Sequence, residues 1–217
     1  MPVKLNYLIL LLMLLVTLKV QAMGVAEVIG MRGEAVVNSQ TGEPNRLALG
    51  SIIGEGATVL TKNGGRVKLR FVDGSTVVIG DSATFTVEKF AMGKDGKRSH
   101  AEMKLDVGLT NQAIAPSKPD SWQVTTPTVV TAVRGTEYLL EVKNDHTTEV
   151  NVLSGQVALN KTGRNQNLTL KNEPAQTKDP VLLQKDTGAV CNYTECKAPL
   201  PRQASYFQSL IDRLSGI

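Results

Sequence analysis

The chain has 217 residues, 41% of them hydrophobic but only 4% aromatic, and 24 basic against 20 acidic side chains leave a formal charge of +4. That length supports one substantial domain with appendages, and a total of two cysteines excludes a disulfide-dense scaffold. Nearly balanced charge without a polybasic stripe excludes nucleic-acid binding by phosphate neutralisation.

The first residues, Met1 to Lys4, are followed by an apolar run from Leu5 to Leu18, then Lys19 and the small residues Val20 and Ala22. This is the pattern of a signal peptide over 1–22, with cleavage predicted after Ala22 and export to the periplasm or beyond the cell. The run falls short of the roughly 20 residues a span needs, so no stable membrane span is expected after cleavage. Loss of Lys4 and Lys19 leaves 22 basic and 20 acidic residues, so the positive balance owes much to the leader.

From Gly24 to about Leu159, short runs rich in Val, Ile, Thr, Leu and Phe alternate with glycine-bearing turns, the texture of an all-β domain. Arg66-Val67-Lys68-Leu69-Arg70-Phe71 alternates strictly, placing Val67, Leu69 and Phe71 on a buried face and the three cations in water. Asn63-Gly64-Gly65 precedes that strand and Asp73-Gly74-Ser75 follows it, both suited to the positive φ of hairpin turns. Thr76 to Ile79 and Thr84 to Val87 read as further strands. Gly93 to Glu102 reads as a polar excursion in which Lys94-Asp95-Gly96-Lys97-Arg98 forms a solvated turn.

A second run begins at Met103 to Gly108, passes a Pro-containing loop from Ala115 to Ser121, and resumes at Trp122 to Thr125. Pro127 is expected at an edge or a bend because it cannot donate to a ladder. Val129 to Val133 and Glu137 to Val142 flank Arg134-Gly135-Thr136, where the glycine is expected to supply a bulge or a close backbone approach. Arg134 then either satisfies carbonyls or a carboxylate at that corner or contacts a partner. A turn at Lys143 to His146 leads to strands at Glu149 to Leu153 and Gln156 to Leu159.

Residues 161–201 read as a polar linker or tail, with one candidate strand at Leu168 to Leu170. Cys191 and Cys196 are expected to pair in an oxidising compartment, stiffening that tail. Zinc would need further ligands, and His100 and His146 lie far away in turn-like contexts. Asn167-Leu168-Thr169 and Asn192-Tyr193-Thr194 match the glycosylation tripeptide, which matters only in a eukaryotic secretory pathway. Residues 202–217 change period: Tyr206, Phe207, Leu210, Ile211 and Leu214 share one face of an amphipathic helix, and Ser205 with Gln208 fits a capping box. Packing of that face on its own domain is the expectation, with partner docking or membrane contact as the alternative.

No catalytic constellation emerges. There is no G-x-S-x-G elbow, and Asp73-Gly74-Ser75 has an architectural use between two strands. A glycosidase cleft would call for aromatic platforms that this composition hardly supplies, Trp122 being the single tryptophan. The glycine-rich Gly30-Met31-Arg32-Gly33 and Gly50 to Gly56 stretches do not open a helix and no Walker-type lysine follows them. A non-enzyme without cofactor or metal is expected.

The order of the motifs is more informative. Gly33 to Val37, then Leu49 to Gly56, then Thr61 to Leu69 with its Asn63-Gly64-Gly65, then Asp73-Gly74-Ser75, then Thr126-Pro127 before Val133-Arg134-Gly135-Thr136-Glu137, resembles the FecR domain. Ser51 stands where an aspartate is frequent. The resemblance covers roughly 23–160 and implies an all-β body of many short strands, a compact sandwich or jelly-roll or a short twisted solenoid, with the C-terminal helix added. The best-known FecR-like proteins regulate iron-uptake signalling through a cytoplasmic sigma-factor-binding segment, one membrane span and a periplasmic sensing part. Here Met1 to Lys4 alone precede the apolar run, and the stretch after Asn160 lacks the βαβ-like pattern of the small domain that follows in those regulators. The resemblance therefore implies a stand-alone exported module that binds an envelope protein, possible roles being envelope or iron-uptake-type signalling, with cell-wall polysaccharide (peptidoglycan) as the alternative partner.

Overall fold

A computed structural model of the chain describes residues 24–38, 44–117, 121–162 and 180–217. The leader-like segment 1–22, the Asn167 tripeptide and the candidate strand at Leu168 to Leu170 lie outside the described residues. In chain order the strands are β1 (Gly24–Arg32), β2 (Ala35–Asn38), β3 (Asn45–Arg46), β4 (Ile52–Gly54), β5 (Thr58–Thr61) and β6 (Arg66–Phe71). They continue as β7 (Thr76–Ile79), β8 (Thr84–Met92), β9 (Arg98–Ala113), β10 (Trp122–Thr125), β11 (Val129–Val133) and β12 (Glu137–Val142). The last are β13 (Thr148–Ser154), β14 (Gln156–Lys161), β15 (Val181–Gln184), β16 (Thr187–Cys191) and β17 (Cys196–Pro201), followed by helix α1 (Ala204–Leu214).

The strands form two sheets that share β9. The first runs β4-β1-β6-β7-β9-β12-β13-β16-β17 and is antiparallel throughout. The second runs β3-β2-β5-β8-β9-β10-β11-β14-β15, with β9 and β10 as its parallel pair. Residues Arg98 to Val107 of β9 pair in the second sheet and Gly108 to Ala113 in the first. The change of sheet happens at Gly108, whose φ is 108° and where an added Cβ would stand 2.3 Å from the Ala83 Cβ. An L side chain is barred there by both conformation and space.

The inner faces of the two sheets make one core, as expected for a sandwich. In β6 the alternation read from the sequence holds: Val67, Leu69 and Phe71 are buried and Arg66, Lys68 and Arg70 point outward. Phe71 of the first sheet meets Trp122 of the second edge to face, ring centroids 5.0 Å apart. Gln112 fixes this interior. Its Oε1 accepts from Trp122 Nε1 at 3.1 Å and from the Tyr138 hydroxyl at 3.0 Å, and its Nε2 donates to Thr110 at 3.1 Å. Burial pushes the Tyr138 hydroxyl above the ordinary phenolic range.

β12 and β13 are buried on both faces because α1 lies on the outer side of the first sheet. Phe207, Leu210 and Leu214 cover Leu109 and Leu139, with Val78, Leu153, Tyr206 and Ile211 at the margin. The face predicted for this helix is thus the one it buries, against its own domain. The capping box does not form: the helix begins at Ala204, so Ser205 is already inside it, and Gln208 Nε2 donates instead to Asp212 at 2.8 Å. Two acids in the sheet hold the helix at its ends. Glu149 accepts from Arg202 Nη2 at 2.8 Å and from the Tyr206 hydroxyl, and Glu141 accepts from Arg213 Nη2 at 2.7 Å.

The stretch 161–201 differs from the expected linker. β15 extends the second sheet beside β14, and β16 and β17 extend the first beside β13. Small residues allow this: Gly188 leaves room for Asn151, whose Oδ1 would lie 2.6 Å from a Cβ there. The Cys191–Cys196 disulfide joins β16 to β17. Likewise the polar excursion at Gly93 to Glu102 shrinks to a turn, because β8 and β9 extend into it as a long hairpin. Among the described residues no helix is long and apolar enough to cross a membrane.

Candidate functional site

Asp73-Gly74-Ser75 forms the β6–β7 turn, with Gly74 at φ 87°. Asp73 Oδ1 accepts from the Ser75 amide at 3.0 Å and Oδ2 accepts from the Ser75 hydroxyl at 2.7 Å. Behind them lies Arg98, its side chain 0% exposed and ion-paired with Asp73, itself 5% exposed. Arg98 Nη1 donates to Ser75 Oγ at 3.0 Å, Nη2 to the Ala115 carbonyl at 3.1 Å and Nε to Ser121 Oγ at 3.3 Å. Its guanidinium also stands 5.2 Å from the centroid of the Trp122 ring. Desolvation lowers Arg98 to about 10, which leaves it cationic at neutral pH.

Through this arginine the turn fastens the following loop. The Ala115 amide donates to Ser75 Oγ at 3.0 Å and the Ser117 hydroxyl donates to the Arg98 carbonyl at 2.6 Å. Arg98 is the functional-region residue that the sequence reading placed in a solvated turn. Its neighbours Ala101, Met103 and Leu105 point inward, a parity that would leave Arg98 outside. A register shift in the β8–β9 pairing between Ala91 and Met92, where Met92 meets Arg98, reverses its side.

Arg134-Gly135-Thr136 carries the chain from β11 in the second sheet to β12 in the first. It is therefore a crossing between sheets and not a bulge within one pair. The close approach does occur: Gly135 has φ 59°, and a Cβ there would meet Pro116 at 3.3 Å. Thr136 Oγ1 donates to the Gln156 carbonyl at 2.9 Å, and the Ile114 amide donates to the Thr136 carbonyl at 2.9 Å. Arg134 is exposed, and among the described residues its side chain has no hydrogen-bond or ion-pair partner.

The two turns, distant in sequence, thus come to one edge of the sandwich. Between them is a shallow concavity of about 360 Å³ lined by Gly74, Thr76, Ala113 to Pro116, Gly135 to Glu137 and Ser154. Its floor follows one row of the first sheet, since Thr76 faces Ala113, Ala113 faces Glu137 and Glu137 faces Ser154. The third motif lies elsewhere. Thr126-Pro127 is the bend between β10 and β11, at the opposite end of β11 from Arg134. Thr126 Oγ1 donates to the Val129 carbonyl at 3.0 Å and lies 2.9 Å from Thr148 Oγ1, which accepts from Thr128 at 2.7 Å. These buried hydroxyls fasten the hairpin to β13, with Pro127 in the bend where its missing N–H is harmless.

The titratable group lining the concavity is Glu137, beside the hydroxyl residues Thr76, Thr136 and Ser154. No group of three or more His, Cys, Asp or Glu that could hold a metal occurs among the described residues. Comparison with known proteins agrees with the order of the motifs. No curated protein matches the chain. Two crystal structures of a "putative anti-sigma factor" from Parabacteroides distasonis ATCC 8503 share the fold, with TM-scores of 0.53 and 0.52 and identities of 14% and 13%. Each alignment covers 71% of this chain and 64% or 63% of the other, so this chain spans just under two thirds of those proteins' length. Residues 57–158 match the family described as FecR protein, and that span contains the turn at Gly74, the bend at Pro127 and the crossing at Gly135. Over that span, which carries the fold's three turn motifs, the chain is similar to the FecR family.

Proposed function

We propose that the protein is a non-enzymatic, exported binding module of the bacterial envelope that takes part in signalling by contacting another protein. The observation that carries this reading is the convergence of the Asp73-Gly74-Ser75 and Arg134-Gly135-Thr136 turns around one open concavity inside the family-matched region. Arg98 and Thr136 hold the walls from behind, while Arg134 is exposed at the turn and Glu137 lines the concavity. A rigid rim with exposed charge suits recognition of a protein surface. The FecR match over residues 57–158 and the fold shared with the Parabacteroides protein support a regulatory role of the iron-uptake-signalling kind. The leader-like segment and the Cys191–Cys196 disulfide support export. The polysaccharide alternative is weakened by Trp122, which is completely buried and unavailable as a stacking platform.

The test is site-specific photo-crosslinking in cells, with the crosslinker at Glu137 and, as a control, at Met92. The expected result is a discrete protein adduct from Glu137 alone, lost in an Arg134→Glu background. Adducts from both positions, none from either, or retention of the purified chain on peptidoglycan with none on protein would overturn the reading.

A further inference from the structure

Two carboxylates stand side by side on the outer face of the first sheet, underneath α1. Glu141 of β12 is directly opposite Glu149 of β13, and their row continues to Leu109 of β9 on one side and Val190 of β16 on the other. Like charges at facing positions destabilise a sheet unless something offsets them. The offset comes chiefly from the last segment of the chain. Arg202, just before α1, donates through Nη2 to Glu149 at 2.8 Å with the Tyr206 hydroxyl beside it, and Arg213 donates to Glu141 at 2.7 Å. Lys143 adds a longer contact to Glu149, at 3.8 Å. Next to the acids, Leu109 and Leu139 form an apolar strip under Phe207, Leu210 and Leu214, which follow one another at i, i+3 and i+7 along one helix face. A carboxylate pair beside an apolar strip is a seat for a cationic amphipathic helix, and α1 fills it in cis.

The helix is attached in a way that lets it leave. Its apolar contacts form a cluster apart from the main core of the sandwich. No side chain caps its N-terminus and no acid stands in its first turn. At 11 residues it is also shorter than the roughly 12–15 below which isolated helices are marginal in water. It lies beyond the span that matches the FecR family, and at its far end Arg66 Nε holds the Arg213 carbonyl at 2.7 Å. In the next row of the same sheet face Asn111 stands between Val78 and Leu139, and its buried Oδ1 accepts from no donor among the described residues. The row after that, Thr76, Ala113, Glu137 and Ser154, is the floor of the concavity. Helix seat and concavity are thus successive rows of one face, with an unused acceptor at their border. We infer that the seat of α1 is a helix-binding groove, closed in cis by α1 and taken in trans by a cationic amphipathic helix of the partner that engages the concavity. Charge complementarity favours this occupant, because two facing carboxylates need cations from whatever fills the groove and repel an anionic lipid surface. The inference rests on the reading of the chain as a protein-binding module.

The probe is a fluorescein-labelled helical peptide of about sixteen residues, built from alanine and glutamine around the pattern of α1: tyrosine then phenylalanine, leucines at i+3 and i+7 from the phenylalanine, and an arginine near each end. It is titrated by anisotropy against the purified full chain and against Phe207→Ala/Leu210→Ala, which loosens α1 without touching the walls of the groove. The variant is expected to bind the peptide at least about tenfold more tightly than the parent, and a peptide with glutamate in place of both arginines at least about tenfold more weakly. Glu141→Gln in the loosened background should weaken binding severalfold. The urea midpoint read from Trp122 confirms that the sandwich is folded. Hydrogen exchange on the unmodified chain needs no variant: protection factors of α1 amides are expected to be at least about tenfold lower than those of β12. Equal protection of α1 and β12, no binding to the loosened variant, equal binding of the glutamate peptide, stable dimers formed by exchange of α1 between copies, or a preference of the loosened variant for phosphatidylglycerol vesicles over the peptide would overturn the inference. In cells, adducts from Glu137 should rise severalfold in Phe207→Ala/Leu210→Ala. Adducts that depend on Arg134 but do not change in that variant would overturn the inference while leaving the proposed function standing.

Discussion

Replacing Asp73 by asparagine tests whether the buried arginine organises the site. The substitution keeps the shape and an oxygen for the Ser75 amide but removes the counter-charge of Arg98, whose side chain is 0% exposed. Removing one partner of a buried ion pair costs roughly 3–5 kcal/mol, because the remaining charge is left desolvated. Arg98 retains its contacts with Ser75, Ser121 and the Ala115 carbonyl, so the loss should lie near the lower end, about 3 kcal/mol. Native domains are stable by only about 5–15 kcal/mol, so this is a large fraction. In urea, with a slope of roughly 2 kcal/mol per molar, the midpoint should fall by about 1.5 M. The natural reporter is the fluorescence of Trp122, which sits 5.2 Å from the guanidinium. The double variant Asp73→Leu/Arg98→Met should be more stable than Asp73→Asn, since no charge is then stranded. A midpoint shift below about 0.5 M for Asp73→Asn, or a double variant as unstable as the sum of its singles, would refute the assignment.

Other outcomes follow from single contacts. Gly108→Ala should cost more than about 3 kcal/mol in chemical denaturation, because positive φ and overlap with Ala83 act together. Arg134→Ala should leave the urea midpoint within about 0.5 kcal/mol of the parent, whereas Thr136→Val should cost about 1–2 kcal/mol by leaving the Gln156 carbonyl unpaired. Burial and the Glu149 contact push the Tyr206 hydroxyl up to about 12. A folded-state value above the unfolded one means that the contribution of Tyr206 is complete below pH about 10 and is lost as pH rises towards 12. Melting of the α1 contact over that range should be visible by circular dichroism and weaker in Tyr206→Phe. Reducing the disulfide should lower stability by roughly 2 kcal/mol, the loop-closure entropy of so short a loop, in a thermal melt with and without reductant.

The alternating run of β6, the hairpin turns at Gly64 and Gly74, and the apolar face of α1 could be read from the sequence because each depends on local periodicity and on the backbone freedom of glycine. The all-β class and the motif order that marks the family follow from the same local signals. The burial of Arg98 was not legible, since its side is set by a register shift and its partner comes from another hairpin. Nor were β15 to β17, short segments whose strand character comes from pairing with β13 and β14 and not from their own pattern. What the sequence by itself determined was which segments form strands and which form turns, because steric and hydrophobic preferences act over a few residues. Only the tertiary structure decided that Gly74 and Gly135 share one rim and that Thr126-Pro127 does not, because hydrogen bonds between strands distant in the chain choose the neighbours of each turn.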